Sequence, residues 1–143
     1  MIQNKNNKAI WNTRIKKDTT SIFKKVGGSI DIDKRLFKED IQGSIVHVEM
    51  LFKQKIIPFK IKNKIIWGLN RIRNEIIKKK FTFNSNLEDI HMNIEKRLFE
   101  IIGEDAGYVH TGRSRNDQII TDFKLWLRSS TTEVINLDRK SVV

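Results

Sequence analysis

The chain has 143 residues, 38% of them apolar and 31% charged, with no cysteine and a formal net charge of +11. That length supports one modest core and excludes a large multidomain enzyme, while the absence of cysteine excludes disulfide scaffolds, thiolate metal sites and thiol catalysis. No apolar run approaches membrane length, the polar start MIQNKNNKAI has no signal-peptide character, and His47, His91 and His110 are too dispersed to read as a metal cluster.

Residues 1–28 read as an irregular arm rich in Lys, Asn and Thr, closed by Val26-Gly27-Gly28 and a turn at 29–33. The first predicted helix covers 33–54, with Phe37, Ile41, Ile45, Val48 and Phe52 as its apolar stripe. Glu39 and Asp40 lie in its early half, where carboxylates suit the helix dipole. Pro58 marks the next boundary. A second helix is predicted at 59–79, with Ile61, Ile65, Leu69, Ile72 and Ile76 inward and Lys78-Lys79-Lys80 at its carbonyl end.

Ser85-Asn86-Leu87-Glu88 has the form of a capping box for a third helix at 87–102, with Leu87, Ile90, Ile94, Leu98 and Ile101 inward. Gly103 suits its C-terminal stop. A loop at 104–112 precedes a fourth helix at 114–136, striped by Ile119, Phe123, Trp126, Leu127, Ser130 and Val134. No strand alternation persists, so the fold class is all-α.

The positive charge invites a nucleic-acid reading. It is concentrated in residues 1–80, which hold 20 Lys/Arg against 7 Asp/Glu, whereas 81–143 hold 8 against 10. Ile, Lys and Asn, all encoded by AT-rich codons, make up 54 of the 143 residues. Base composition alone therefore raises the charge. The basic stretches also lack interleaved aromatic residues. No nucleic-acid partner and no membrane partner is expected.

The stretch richest in chemistry is His110-Thr111-Gly112-Arg113-Ser114-Arg115-Asn116-Asp117-Gln118. It gathers two hydroxyls, two guanidinium groups and a side-chain amide at a helix entrance. Ser114 and Asp117 have capping-box spacing, with Ser114 as N-cap. Unpaired N–H groups and a partial positive charge at that entrance suit a carboxylate or phosphate. A second polar cluster is Glu88-Asp89-Ile90-His91-Met92-Asn93. Asp89 and His91 fit either an exposed helix face or support for the 110–118 loop.

HTGRSRNDQ at 110–118 and EDIHMNIEKRL at 88–98 are specific motifs. Together with SIDIDKRLFKEDIQGSIVHVEML at 29–51 they resemble the N-terminal part of the argininosuccinate lyase family, over about residues 10–130. The resemblance implies a helical fold of the fumarase/aspartase superfamily and a cytoplasmic homotetramer of the arginine-biosynthesis pathway. It implies β-elimination of argininosuccinate to arginine and fumarate, with no metal or other cofactor. Such a reaction needs a base at the succinyl carbon, an acid for the departing guanidino nitrogen, and fixed donors for the carboxylate that takes up charge. By resemblance, Ser29, Thr111, Ser114, Arg115 and Asn116 are substrate-binding positions. Asp89, His91, Arg113 and Asp117 support the site, and residues 29–112 form the N-terminal helical domain. Residues 113–137 begin the central bundle.

Departures accompany the resemblance. Trp11-Asn12-Thr13-Arg14-Ile15 replaces a family Trp-Gly-Gly-Arg-Phe, and a family Phe-Asn-Ala-Ser-Ile is here Lys25-Val26-Gly27-Gly28-Ser29-Ile30, with the Asn before Ser29 replaced by glycine. Motifs resembling Gly-Tyr-Thr-His-Leu-Gln and Gly-Ser-Ser-x-Met-Pro-x-Lys-x-Asn, which carry the family's catalytic His and Ser, are not in this sequence. No catalytic residue is therefore expected in it, and catalysis by this chain alone is not expected. Asp138-Arg139-Lys140-Ser141-Val142-Val143 reads as a translated sequencing adapter, GAT CGG AAG AGC GTC GTG, so 138–143 is expected to be non-native. The competing readings are a non-catalytic binding or structural protein on the same scaffold and a small basic nucleic-acid binder.

Overall fold

A computed structural model describes residues 27–141, and the expectations for residues 1–26, including the Trp11–Ile15 segment, lie outside the described residues, as do Val142 and Val143. All regular structure among the described residues is helical. A helical turn at Ile30–Asp33 runs through a 3-10 turn at Lys34–Leu36 into α1, Phe37–Lys53. Helix α2 is Phe59–Ile77, α3 is Ile90–Ile102 and α4 is Arg115–Ser141. The continuous helix expected from 33 thus begins at Phe37. The tighter turn before it lets Asp33 face backwards, where its Oδ2 accepts from Ser29 Oγ at 2.6 Å and its Oδ1 from Ile90 N at 3.2 Å.

The inward face of α1 is rotated from the expected stripe. Ile41, Val48 and Leu51 are buried together with Asp40 and Ser44, while Phe37, Ile45 and Phe52 pack at the margin. The rotation lets α1 meet α2 on one side and α4 on the other. Asp40 is therefore not an exposed partner of the helix dipole. It is one of the most deeply buried residues, 1% exposed.

Helix α2 follows its sequence pattern. Pro58 precedes it in extended conformation, and Ile65, Leu69 and Ile72 are fully buried. Gly68 marks its closest approach to α3. A Cβ built there would lie 2.5 Å from Leu98 Cδ1 and 3.2 Å from Ile102 Cγ2, both on buried side chains. Gly68→Ala is accordingly expected to cost about 1–3 kcal/mol through overpacking, despite alanine's better helix propensity. Urea denaturation of the variant checks this, and an unchanged midpoint would refute the tight crossing. On the surface, Arg97 of α3 forks onto Glu75 of α2 with bonds of 2.9 and 3.0 Å.

Helix α3 begins three residues later than expected, because its cap is Asp89 and not Ser85. Asp89 Oδ1 accepts from Met92 N at 2.6 Å. Asn93 occupies a core-facing position and closes the preceding loop, accepting from Asn84 N at 2.8 Å and donating to Asp89 O at 2.9 Å. Ile90, Ile94, Leu98 and Ile102 complete the core. Gly103 ends the helix, as its position suggested, at φ 72 and ψ −149, a positive-φ conformation that glycine adopts freely. The expected 104–112 loop is largely a 3-10 segment, Gly103–His110, which buries Ala106 and Val109.

Helix α4 departs most from expectation. Its predicted stripe of Ile119, Phe123, Trp126, Leu127 and Val134 is 40–64% exposed. Its buried residues are Gln118 and Asp122, which face α1, and residues 131–140 are all exposed. No described helix is long and apolar enough to cross a membrane.

Candidate functional site

Three segments distant in sequence are linked in series to the start of α4. The first is Ser29, whose backbone N–H donates to Glu88 O at 2.8 Å. The second is the start of α3, where Asp89 and His91 are buried, 8% and 2% exposed, and do not lie on an open helix face. The third is the 110–118 loop. Arg115 joins the second to the third. Its Nη1 and Nη2 fork onto Glu95 at 3.0 and 2.9 Å, its Nη1 also donates to Gln118 Oε1 at 2.8 Å, and its Nε lies 3.7 Å from Asp89 Oδ2. Burial disfavours the charged guanidinium, but the bonds and charge of Glu95 outweigh it, and its pKa rises.

The loop is pinned from α1 as well. Arg113 Nη1 donates to Ser44 Oγ at 3.0 Å. His47 Nε2 donates to Thr111 O at 2.9 Å. Burial first, then the charges of Arg113 and His110, lower the His47 pKa, which suits a neutral ring holding its proton on Nε2. Gly112 takes φ 62, a left-handed turn that glycine adopts freely. Ser114 precedes α4 as expected of its N-cap. Its Oγ accepts from Asn116 N at 3.3 Å and its carbonyl from Gln118 N at 3.2 Å.

The geometry divides the loop's side chains. Arg113 and Arg115 point into protein partners, Thr111 is half-buried, and Ser114, Asn116 and Asp117 are exposed. A hydroxyl, an amide and a helix N-terminus are thus presented to solvent from a backbone tied down on both sides. Near it, burial raises the pKa of both Asp33 and Glu88, and the adjacent Asp89 charge raises both further.

Beneath the loop lies a buried polar cluster that the sequence did not disclose. Asp40 Oδ1 accepts from His91 Nδ1 at 2.9 Å and from Gln118 Nε2 at 2.5 Å. Among the described residues Asp122, 0% exposed, finds no hydrogen-bond donor for either oxygen, and Oδ2 lies 3.6 Å from His91 Nδ1. One candidate ligand atom each from Asp40, His91 and Asp122 lie within 4.8 Å of one another. Asp40 is already engaged by two donors and the Arg113 charge acts on both carboxylates. The trio is therefore better matched to a proton network than to a cation.

Burial opposes ionisation of Asp40, yet the bonds from His91 and Gln118 and the charges of His91 and Arg113 prevail and lower its pKa. Burial likewise opposes the charged form of His91, and Asp40 overcomes it, raising the pKa. For Asp122, burial and the Asp40 charge push the pKa up to about 7. Helical periodicity gave no signal for this trio, since Asp40, His91 and Asp122 all lie off the apolar stripes read from the sequence and nothing in that pattern pairs them.

Comparison with known proteins bears on this constellation. A family model described as Lyase matches residues 13–141. The argininosuccinate lyase of Pelagibacter ubique (strain HTCC1062) is 71% identical over 139 residues, covering 96% of this chain and 30% of that protein. That of Bartonella bacilliformis is 46% identical over 125 residues, covering 87% and 27% respectively. That of Ehrlichia canis is 48% identical over 125 residues, covering 87% and 26%. The chain thus spans less than a third of the length of these curated relatives.

Proposed function

The chain belongs to the lyase family, and from that premise we propose that it is the N-terminal part of an argininosuccinate lyase. The observation carrying this reading is the series of contacts that ties Ser29 to Glu88, the neighbouring Asp89 to Arg115, and Arg115 to Gln118 at the start of α4. Argininosuccinate offers carboxylates, and its elimination places negative charge on one of them. Ser114 Oγ, the Asn116 amide and the start of α4 are donors held in place before that charge develops, which is the condition for electrostatic stabilisation. Ser29 and Thr111 complete the substrate-binding set; Arg115, expected in that set by resemblance, has its guanidinium engaged by Glu95 and Gln118 and instead fixes the loop, and Asp89, His91, Arg113 and Asp117 support it.

In this reading residues 29–112 form an N-terminal domain and 113–137 open the central bundle of a cytoplasmic homotetramer. The base and acid come from segments beyond this chain, which alone has no activity. The apolar residues Phe123, Trp126 and Leu127, 41–48% exposed, are then faces awaiting cover. The isolated chain is expected to self-associate at micromolar concentration, and Trp126→Glu with Leu127→Glu to suppress this. Sedimentation velocity checks it, and a monodisperse unmodified monomer would count against it.

The functional test is fumarate release from argininosuccinate by the complete reading frame. Activity is expected there and none from residues 1–143. Asn116→Ala in the complete protein is expected to lower kcat/KM about 100-fold, with stability changed by no more than about 0.5 kcal/mol because the side chain is exposed. A folded, assembled, inactive complete protein would instead support a non-catalytic protein on the same scaffold.

A further inference from the structure

The Asp122 carboxyl poses a problem that the lyase reading leaves unsolved. It is fully buried on α4, and neither oxygen accepts a hydrogen bond from any of the described residues. An ionised carboxylate in that setting carries a large uncompensated desolvation cost. His91 Nδ1 has one proton to give and lies closer to Asp40, 2.9 Å against 3.6 Å. Two carboxylates sharing one site do not both ionise readily. Asp40 has two donors and Asp122 none. Asp40 is therefore the ionised member and Asp122 the neutral one.

We propose that Asp122 carries a proton, donates it towards Asp40, and through this one shared proton latches α4 and the 111–117 loop onto α1 and α3. The groups facing the cluster define what happens when it leaves. From α1 come Asp40 and the neutral Ser44, from α3 the His91 imidazole with Asp89 and Glu95 behind it, from α4 Arg115 and Gln118, and from the loop Arg113. Arg115 is held by Glu95 and Gln118. Arg113 is the cation able to turn. Its Nη2 and Asp122 Oδ1 both border Gly43, 3.5 and 3.4 Å from the point a Cβ would occupy there. Ionisation of Asp122 draws Arg113 from Ser44 onto Asp122. Arg113 is next to Ser114, so the loop's donors move with it. The latch concerns this chain's own residues and does not depend on what the loop binds.

The experiment is an NMR titration of the 143-residue chain carrying the surface substitutions Trp126→Glu and Leu127→Glu, between pH 4 and 8. It follows the Asp122 side-chain carboxyl carbon and the Ser114 and Asn116 amides. Asp122 is expected to titrate near 7, with both amides shifting at the same midpoint. Asp122→Asn should abolish the amide titration and hold the loop at its low-pH shifts. Asp40→Asn should lower the Asp122 midpoint by at least about one unit. An Asp122 midpoint near the ordinary carboxylate value overturns the proposal, including where this arises from an undocked α4. Loop amides indifferent to Asp122 overturn it equally, and loss of lyase activity has no bearing on either result.

Discussion

Asp40→Ala is expected to destabilise the chain by about 3–5 kcal/mol, the range for removing one partner of a buried charge pair. Asp40 is the acceptor for both His91 Nδ1 and Gln118 Nε2, and all three side chains are at most 2% exposed. Alanine leaves an imidazole and an amide with buried donors and no acceptor, and opens a void where three helices meet. Asp40→Asn keeps the volume and one acceptor oxygen and should cost less, about 1–3 kcal/mol. A small domain has only about 5–15 kcal/mol in total, so the alanine variant should be largely unfolded well below the wild-type midpoint. Urea denaturation followed by far-ultraviolet circular dichroism at low micromolar protein measures both. Equal, sub-kilocalorie losses for the two variants would show that the hub does not hold the helices.

The second large effect is a fall in stability as pH rises from about 4 to 8. The Asp122 pKa stands at about 7 in the folded chain against 3.8 as its ordinary value. The folded state therefore holds a proton that the unfolded state releases between those values, and stability declines across that window. At ~1.4 kcal/mol per pKa unit the full difference is about 4 kcal/mol. His91 acts in the same direction. Its folded pKa is raised, so its contribution is complete below 6.5 and is lost as pH climbs through the folded value. Asp40, with a lowered pKa, contributes above 3.8 and loses that contribution only in stronger acid. Maximum stability is expected near pH 4, where the Asp40 contribution is complete and the Asp122 decline begins. Asp122→Asn should flatten the decline towards pH 8, leaving mainly the His91 component. A wild-type chain more stable at pH 8 than at pH 5 would contradict the assignment of the proton to Asp122.

The legible parts of the fold were those governed by one chain segment at a time. Helix α2 could be read because Pro58 fixes its start and Ile65, Leu69 and Ile72 form a single stripe, which α1 and α3 cover together. Gly103 could be read because a helix stop is a local matter. Helix α4 could not. Its stripe of Phe123, Trp126 and Leu127 is real periodicity, but periodicity does not say whose surface covers it, and among the described residues it is chiefly α1, with the 34–36 turn, that lies against the helix. The start of α3 was misplaced because Ser85-x-x-Glu88 and Asp89 are both acceptable caps by residue type. The choice was made by Asp33 and Arg115, both brought in from other segments.

The site shows the same division. The 110–118 loop stood out in the sequence because its donors are consecutive. Asp89 and His91 were open to two readings until burial placed them beside Arg115 and Asp40. Asp122 gave no signal, since one acid on an amphipathic helix resembles any solvated residue. His47 was equally silent, because its role is a single bond to a backbone carbonyl.

The most direct test of the reading as the N-terminal part of an argininosuccinate lyase is to determine the genomic sequence downstream of the Leu137 codon. An open frame continuing into segments that resemble Gly-Tyr-Thr-His-Leu-Gln and Gly-Ser-Ser-x-Met-Pro-x-Lys-x-Asn is the expected result. A stop within a few codons of Leu137 in the locus would contradict it and leave a helical protein without lyase chemistry.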